Sequence, residues 1–170
     1  MTAAVEKCYQ CGKCTAGCPV AARMDLVPNQ LLRLVQLGHA GRAMRARAIW
    51  QCVGCQTCSA RCPKGVDCAG ALDWLRRQAL AASAVAPEAR RTVAFQKTFL
   101  NNIRRHGRLN ELELVGAFKT ATFLIDRQIP HLFKDSMLAP RMRARGKLKL
   151  TGAKVRDRQV VDRIFSRCMG

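Results

Sequence analysis

The run Cys8-Tyr-Gln-Cys11-Gly-Lys-Cys14-Thr-Ala-Gly-Cys18-Pro19 recurs in spacing as Cys52-Val-Gly-Cys55-Gln-Thr-Cys58-Ser-Ala-Arg-Cys62-Pro63. Both stretches have the spacing C-x2-C-x2-C-x3-C-P, and they are offset by 44 residues. The repeat extends beyond the cysteines, since Ala16 corresponds to Ala60 and Thr15 to Ser59. An internal repeat of this kind predicts a module with two pseudo-symmetric halves.

The spacing itself is the bacterial pattern for holding [4Fe–4S] clusters. Three thiolates at intervals of three positions fit a tight loop around three corners of a cubane, with backbone N–H groups turned toward the sulfides. Gly12, Gly17 and Gly54 suit such a loop, because glycine accepts backbone angles and close approaches that side chains forbid. The proline after each fourth cysteine turns the chain away.

In two-cluster ferredoxins the fourth cysteine of each run ligates the other cluster. Applied to this sequence, that rule predicts two cofactor sites. The predicted ligands are Cys8, Cys11, Cys14 and Cys62 for the first cluster, and Cys52, Cys55, Cys58 and Cys18 for the second. Because all eight thiolates are used, neither cluster keeps a position for substrate, and we predict one-electron transfer with no catalytic residue.

Structural zinc and disulfides are the alternatives for so many cysteines. Zinc sites normally use two Cys or Cys/His pairs and leave no role for a third cysteine in phase. Disulfides are disfavoured because the first predicted ligand already stands at residue 8, which leaves no room for a secretory signal. No apolar run approaches the roughly 20 residues that span a bilayer. We therefore expect a soluble, cytoplasmic protein with no transmembrane segment.

The chain is strongly basic. Its 170 residues carry a formal charge of +19, which two clusters with their thiolates would reduce to roughly +15. Such a charge favours a nucleic acid, an anionic membrane surface or an acidic protein partner. Lys13, Arg61 and Lys64 lie in or beside the cysteine runs, where they either raise a cluster potential or simply face solvent.

The pattern of apolar residues predicts a mainly α fold: an α-helical ferredoxin-like module over residues 1–83 and a basic helical extension over 87–170. In the module we expect a helix from Pro28 to Gly38 with Leu31, Leu32 and Val35 on its apolar face. A second would run over 39–49. A third would be capped by Asp67 and present Ala71, Leu72, Leu75 and Leu80.

The extension shows helical patterns but few chemical motifs. Pro87 opens a predicted helix with Phe95, Phe99 and Ile103 on one face and a stop at Gly107. A capping box of Asn110 and Glu113 predicts the next helix, to about residue 128, and another would span 130–138. Residues 141–158 hold eight basic residues and one acid, and we expect them to begin as an extended arm. The last helix would have an apolar face formed by Val160, Val161, Ile164 and Phe165.

Two cysteines lie outside the runs. Cys68 is predicted to be a small buried residue on a helix, with ligation of an unusual centre as the alternative. Cys168 is predicted to be an incidental or core thiol. The three histidines show no pattern of a catalytic site. For the basic arm, a solvated face and a docking surface for an acidic partner both remain open, whereas nucleic-acid binding is disfavoured by the lack of aromatic residues there.

Over residues 7–80 the sequence closely resembles the C subunit of heterodisulfide reductase. The resemblance is carried by the first cysteine run through Val20, Met24-Asp25, Pro28, Gln30, Gln36-Leu-Gly38, Ile49-Trp-Gln-Cys52, Thr57-Cys-Ser-Ala-Arg-Cys-Pro63 and Val66-Asp67. That family is similar to the iron–sulfur modules of succinate dehydrogenase and glycolate oxidase, which share an α-helical ferredoxin fold. Beyond about residue 87 only the helical, basic character matches.

The resemblance implies an electron-relay subunit, which is not itself catalytic. Its expected partners are a flavin-containing protein like the family's A subunit, and a protein with CCG domains like its B subunit. The setting would be bacterial cytoplasmic sulfur oxidation, with a methanogen-type heterodisulfide reductase or a glycolate- or succinate-type oxidoreductase as alternatives. An iron–sulfur nucleic-acid-binding protein is the competing class, and the two clusters in ferredoxin register argue against it.

Overall fold

A computed structural model describes residues 5–126, 138–146, 155 and 157–169, and no strand occurs among them. The predicted mainly α fold is confirmed. The chain divides into two compact units, Met1–Ala89 and Arg90–Gly170. The assignment of residues 1–83 and 87–170 as separate domains stays a prediction. In the described part of the chain, no helix is long and apolar enough to cross a bilayer.

The first unit is built from short helices around the cysteine runs. Its α-helices are α1 (Lys13–Ala16), α2 (Pro28–Gln36), α3 (Ala40–Met44), α4 (Ala48–Gln51), α5 (Thr57–Ala60) and α6 (Cys68–Ala81), and short 3₁₀ turns occupy Val5–Lys7, Ala21–Arg23 and Pro87–Ala89. Each cysteine run follows a short helical segment, contains a one-turn helix and is followed by a longer helix. The 44-residue repeat is therefore a structural repeat.

Helix α2 begins where the sequence predicts. Pro28 is its first residue, and the side chain of Gln30 accepts the N–H of Val27 at 3.1 Å. Leu31 and Leu32 are fully buried. The helix ends at Gln36, two residues before Gly38, which has the left-handed φ of 75° that ends a helix.

The single helix predicted over 39–49 is wrong, because the segment forms α3 and α4 with a break between them. Asp25 explains the break. Its carboxylate accepts the N–H groups of Arg47 at 2.9 Å and Ala48 at 2.7 Å, which would otherwise be unpaired at the start of α4. Partial burial acts to raise the pKa of Asp25, but the N–H groups of Arg47, Ala48 and Leu26 outweigh it, and the pKa lies below its ordinary value.

We expect Asp25→Ala to lower the free energy of unfolding by about 1 kcal/mol, the usual effect of losing a helix cap. Because the pKa of Asp25 is lowered in the folded state, its contribution is complete above the ordinary carboxylate pKa and is lost as the pH falls through the lowered value. Urea unfolding of both proteins at several pH values measures this. A difference that stays constant down to the most acid pH would contradict the cap.

Helix α6 is capped by Asp67 as predicted, since its carboxylate accepts the N–H of Gly70 at 2.9 Å. Ala71, Leu72 and Leu75 lie in the core. Leu80 was predicted on the same face but is 41% exposed, and Ala79 is buried in its place. Helices α3 and α4 both pack against α6.

In the second unit, α7 (Arg90–His106) and α8 (Glu111–Asp126) form an antiparallel helical hairpin. Helix α7 begins after the 3₁₀ turn that Pro87 opens, and ends at Gly107, where φ is 71°. Asn102 is 3% exposed, and its side chain bonds both backbone groups of Asn110. Phe95 packs edge-on against Phe118 at 5.4 Å between ring centroids.

Only half of the predicted capping box forms. The side chain of Asn110 accepts the N–H of Glu113 at 3.3 Å, but the carboxylate of Glu113 binds Arg105 and His106. Asn102 takes the N–H of Asn110 instead. The buried amide of Asn102 therefore replaces the glutamate that the capping box would use.

The end of the chain departs from the predicted extended arm. Helix α9 (Leu138–Ala144) covers the first residues of the 141–158 segment, and α10 (Arg158–Met169) covers its last. Helix α10 exposes Val160 and Ile164, whereas Val161 and Phe165 are half-buried. The predictions for 127–128 and for 130–137 fall outside the described residues.

Candidate metal centre

The two cysteine runs fold into the same loop. In the first run, left-handed backbone occurs at Gln10 (φ 64°) and Gly12 (φ 77°), and in the second at Gly54 (φ 66°) and Gln56 (φ 61°). Under the 44-residue repeat, Gln10 matches Gly54 and Gly12 matches Gln56. The left-handed turn is thus kept at both positions, and a glutamine twice adopts a conformation that favours glycine.

We expect Gly54→Ala to destabilise the first unit by about 1 kcal/mol, because a side chain is strained at this positive φ although no atom lies within 4 Å of the added methyl. Gly41→Ala is the matched control: it also meets no atom within 4 Å but lies inside α3, where alanine is the better helix former. Urea unfolding compares the two variants. Equal effects would show that the turn does not need its left-handed angle.

The eight cysteines of the runs surround two cavities. The first cavity, called site 1, is lined by Cys8, Cys11, Cys14 and Cys62, and also by Cys68. The second, called site 2, is lined by Cys52, Cys55, Cys58 and Cys18. Each cavity thus takes three cysteines from one run and the fourth from the other.

The burial of the cysteines repeats between the runs. Cys11 and Cys55 are exposed, whereas Cys14 and Cys58 are buried. The first and fourth cysteines of each run are half-buried. Each cavity therefore has one thiol at the surface and one facing the interior of the unit.

Hydroxyl groups hold the one-turn helices against the longer helices. Thr15 on α1 donates to the side chain of Asn29 at 2.6 Å and accepts the backbone N–H of that residue at 3.2 Å. Ser59 on α5, its counterpart in the repeat, donates to Asp67 at 2.8 Å and accepts the N–H of Ala69 at 2.9 Å. The pair Thr15 and Ser59 thus joins each cysteine run to the start of the helix that follows it.

Individual thiols also have polar partners. The amide nitrogen of Gln10 lies 3.4 Å from the sulfur of Cys8, and the N–H of Val66 lies 3.3 Å from that of Cys62. The hydroxyl of Thr57 lies 3.4 Å from the sulfur of Cys55 and lowers the pKa of that thiol. The contact of Thr57 therefore favours the thiolate form of Cys55, which is the form that a metal requires.

Cys68 lies between the two halves. It is 1% exposed at the start of α6, as predicted for a small buried residue, and it joins Cys14 and Cys58 in one core cluster. The neighbouring thiol of Cys68 lowers the pKa of Cys14 and that of Cys58 to about 6 each, whereas the pKa of Cys68 itself is raised by these two thiols. Cys68 therefore links a thiol of site 1 to one of site 2. Cys168, by contrast, is exposed on α10.

The two cavities differ in the residues that complete their walls. Site 1 has Gln10, Lys13 and Asn29 beside its cysteines. Site 2 is completed by Gln56 and by apolar residues, chiefly Val20, Met24, Pro28, Val53 and Leu72. A group bound in site 1 would therefore meet a cation, Lys13, whereas no charged residue lines site 2.

Of the cations beside the runs, Arg61 lies against Gly17. A methyl group on Gly17 would stand 2.7 Å from a guanidinium nitrogen of Arg61, so alanine at this position would displace the flexible arginine side chain. Lys13 and Arg61 line a further open surface cavity with Ala16. Lys64 lies over the ring of Tyr9 at 5.8 Å from its centroid.

The donor chemistry fits iron–sulfur clusters. Each cavity offers four thiols of the cysteine runs, and thiolate is the ligand that such clusters use. Among residues 5–126, 138–146, 155 and 157–169, no group of three or more His, Cys, Asp or Glu is arranged to hold a single metal ion. The thiols enclose two volumes instead of converging on one point.

Comparison with known families agrees with this geometry. Residues 4–66 match the family described as a 4Fe-4S dicluster domain. This part of the chain is a 4Fe–4S dicluster domain. Its presence supports the prediction that the cofactor is an iron–sulfur cluster. The family description "dicluster" is consistent with the predicted number of two clusters.

The dicluster domain and the residues that follow it are similar to the C subunits of heterodisulfide reductases, which confirms the resemblance seen in the sequence. The iron-sulfur C subunit of the CoB–CoM heterodisulfide reductase of Methanopyrus kandleri is 37% identical over 75 residues, which are 44% of this chain and 39% of that protein. The second iron-sulfur C subunit of the Methanocaldococcus jannaschii reductase is 32% identical over 108 residues, 64% of this chain and 58% of that protein.

A third relative, the C subunit of the ferredoxin:CoB-CoM heterodisulfide reductase of Methanosarcina mazei, is 36% identical over 87 residues, 51% of this chain and 53% of that protein. The chain thus spans about half the length of the curated relatives it matches. The comparisons thus show a 4Fe–4S dicluster domain and its sequence similarity to these C subunits.

Proposed function

We propose that this protein is an electron-relay subunit that holds two [4Fe–4S] clusters with crossed ligands. Cys8, Cys11, Cys14 and Cys62 would hold the cluster of site 1, and Cys52, Cys55, Cys58 and Cys18 that of site 2. The observation that carries the proposal is the division of the eight thiols between two cavities, each with three cysteines of one run and one of the other.

When bound, the clusters supply one-electron oxidation and reduction at fully ligated iron, with no position left for a substrate. The residues of the chain then determine how far solvent reaches each cluster and how each cluster is oriented. The exposed thiols Cys11 and Cys55 place one edge of each site at the surface, where an electron partner can approach. The buried thiols Cys14 and Cys58 meet at Cys68, which supports an electron path through the interior between the two sites.

We further propose that the protein works inside a heterodisulfide-reductase-like complex. Its neighbours there would be a flavin-containing protein like the A subunit of that family, and a protein with CCG domains like the B subunit. The similarity to proteins named as C subunits supports this role. Exposed apolar residues support a protein–protein contact in the second unit: Val115 is 52% exposed, Leu124 78% and Ile164 55%. Burying such side chains against another protein would be favourable.

For the setting, we propose cytoplasmic sulfur oxidation, supported by an Arg- and Ala-rich composition of the kind encoded by GC-rich bacterial genomes. A methanogen-type heterodisulfide reductase is the second candidate, and it is favoured by the methanogens in which the similar proteins occur. Reduction of a coenzyme heterodisulfide by the purified complex would favour the second setting. Activity only with sulfur carried on a lipoate-binding protein would favour the first.

Affinity purification of the full-length chain from its own host at high salt tests the partners. We expect a flavoprotein and a CCG-domain protein to remain bound in fixed ratio. Recovery of nucleic acid with no such proteins would contradict the relay proposal and favour the nucleic-acid alternative. Nuclease treatment before elution, with the partners still retained, controls for bridging by DNA or RNA.

A further inference from the structure

At the start of each cysteine run, two backbone carbonyls in equivalent positions accept hydrogen bonds from one side chain of the helix that follows the run. In the first half they belong to Val5 and Cys8, and in the second to Ile49 and Cys52, the equivalent positions of the 44-residue repeat. Cys8 and Cys52 are the first cysteines of their runs, so these contacts hold the start of each loop.

In the first half the donor is neutral. The amide nitrogen of Gln36, the last residue of α2, donates to the carbonyl of Val5 at 2.9 Å and to that of Cys8 at 2.7 Å. The amide oxygen of Gln36 accepts from Arg33 at 3.2 Å, in an exposed contact. The guanidinium of Arg33 therefore contacts the amide of Gln36 at the surface.

In the second half the donor is charged. Arg76 on α6 donates through Nε to the carbonyl of Ile49 and through a terminal nitrogen to that of Cys52. Arg76 is half-buried, and within the described residues no carboxylate forms an ion pair with it. Its charge therefore acts on the start of the second run without a local counter-charge.

The charge of Arg76 matters because only one of the two sites has a cation in its lining. Reduction of a four-thiolate cluster adds negative charge, so polar and cationic surroundings raise its potential and apolar surroundings lower it. Lys13 lines site 1, whereas no charged side chain lines site 2. From the linings alone, the site-2 potential would lie below the site-1 potential.

We propose that Arg76 is a positioning residue that holds the start of the second run and raises the reduction potential at site 2, so that the two sites are brought closer in potential. Gln36 holds the equivalent carbonyls at site 1 without adding charge. The inference rests on the proposed function, since it assumes a cluster in each site. Its consequence is that electrons can pass between the sites in either direction without a large energetic step.

Redox titration followed by EPR tests the role of Arg76 in the full-length protein. Arg76→Gln should lower the site-2 potential by about 59 mV, a tenfold change in the one-electron equilibrium between the sites, and leave site 1 unchanged. Arg76→Lys keeps the positive charge, so its site-2 potential should stay close to that of the unsubstituted protein. Gln36→Lys adds a charge at site 1 and should raise that potential alone. A Cys55→Ser protein identifies the signal of site 2.

The iron content distinguishes a failure of the proposed function from a failure of the inference about Arg76. If the unsubstituted protein binds fewer than two clusters, the proposed function fails before the inference is reached. If both clusters are present and Arg76→Gln moves neither potential, or moves both equally, the inference is overturned. Loss of site-2 iron in both Arg76→Gln and Arg76→Lys would also overturn it, because Arg76 would then be a structural clamp whose charge is not the deciding property.

Discussion

Replacing Cys18 by alanine should remove the cluster of site 2 and leave site 1 filled, although Cys18 belongs to the first run. The reason is the crossed arrangement, in which Cys18 lines the same cavity as Cys52, Cys55 and Cys58. Cys62→Ala should do the reverse and empty site 1. In each variant the iron content should fall from about eight to about four atoms per chain.

EPR of the reduced variants identifies which cluster remains, by comparison with the spectrum of a Cys11→Ser protein altered at site 1. Cys168→Ala is the matched control, since this thiol is exposed and lies in α10, and its iron content should not change. Loss of site 1 in Cys18→Ala, with site 2 intact, would contradict the crossed assignment and show that each run holds its own cluster.

Removing iron should unfold much of the first unit while the α7–α8 hairpin stays folded. Cys14, Cys58 and Cys68 form part of the same buried cluster as Leu32 and Val66, so the thiols are part of the core and not an appendage to it. Metal binding at such a site contributes directly to folding. We expect amide exchange in α2 and α6 to speed up by about a hundredfold or more, equivalent to about 3 kcal/mol.

Hydrogen exchange with mass spectrometry, before and after anaerobic chelation of the full chain, measures both units at once. The hairpin has its own contacts, including the buried Asn102 and the pair of Arg91 with Asp126 at 2.5 Å, and serves as the internal reference. Unchanged exchange in α2 and α6 after complete iron loss would show that the apolar core suffices without the clusters.

The two cysteine-lined cavities were largely predictable because they are built from cysteines at regular spacing. The eight thiols, the helix start at Pro28 and the cap at Asp67 all follow from local patterns. The partition of thiols between the two cavities agrees with the general rule for two-cluster ferredoxins. Features that a short stretch of sequence specifies could therefore be predicted from the sequence alone.

Features that depend on distant residues could not be predicted in this way. Asp25 divides the 39–49 segment through contacts more than 20 residues away, and Arg76 reaches across to Cys52. The left-handed glutamines had a usable signal, since the 44-residue repeat matches Gln10 with Gly54 and Gln56 with Gly12. In the second unit, a buried Asn102 replaced the expected capping box, and no local pattern indicates it.

The measurement that tests the two-cluster relay most directly is the iron and acid-labile sulfide content of the anaerobically purified protein, together with EPR after reduction. We expect about eight irons and eight sulfides per chain and the broadened spectrum of two magnetically interacting clusters. Four irons with a single isolated signal, or zinc in place of iron, would contradict the relay.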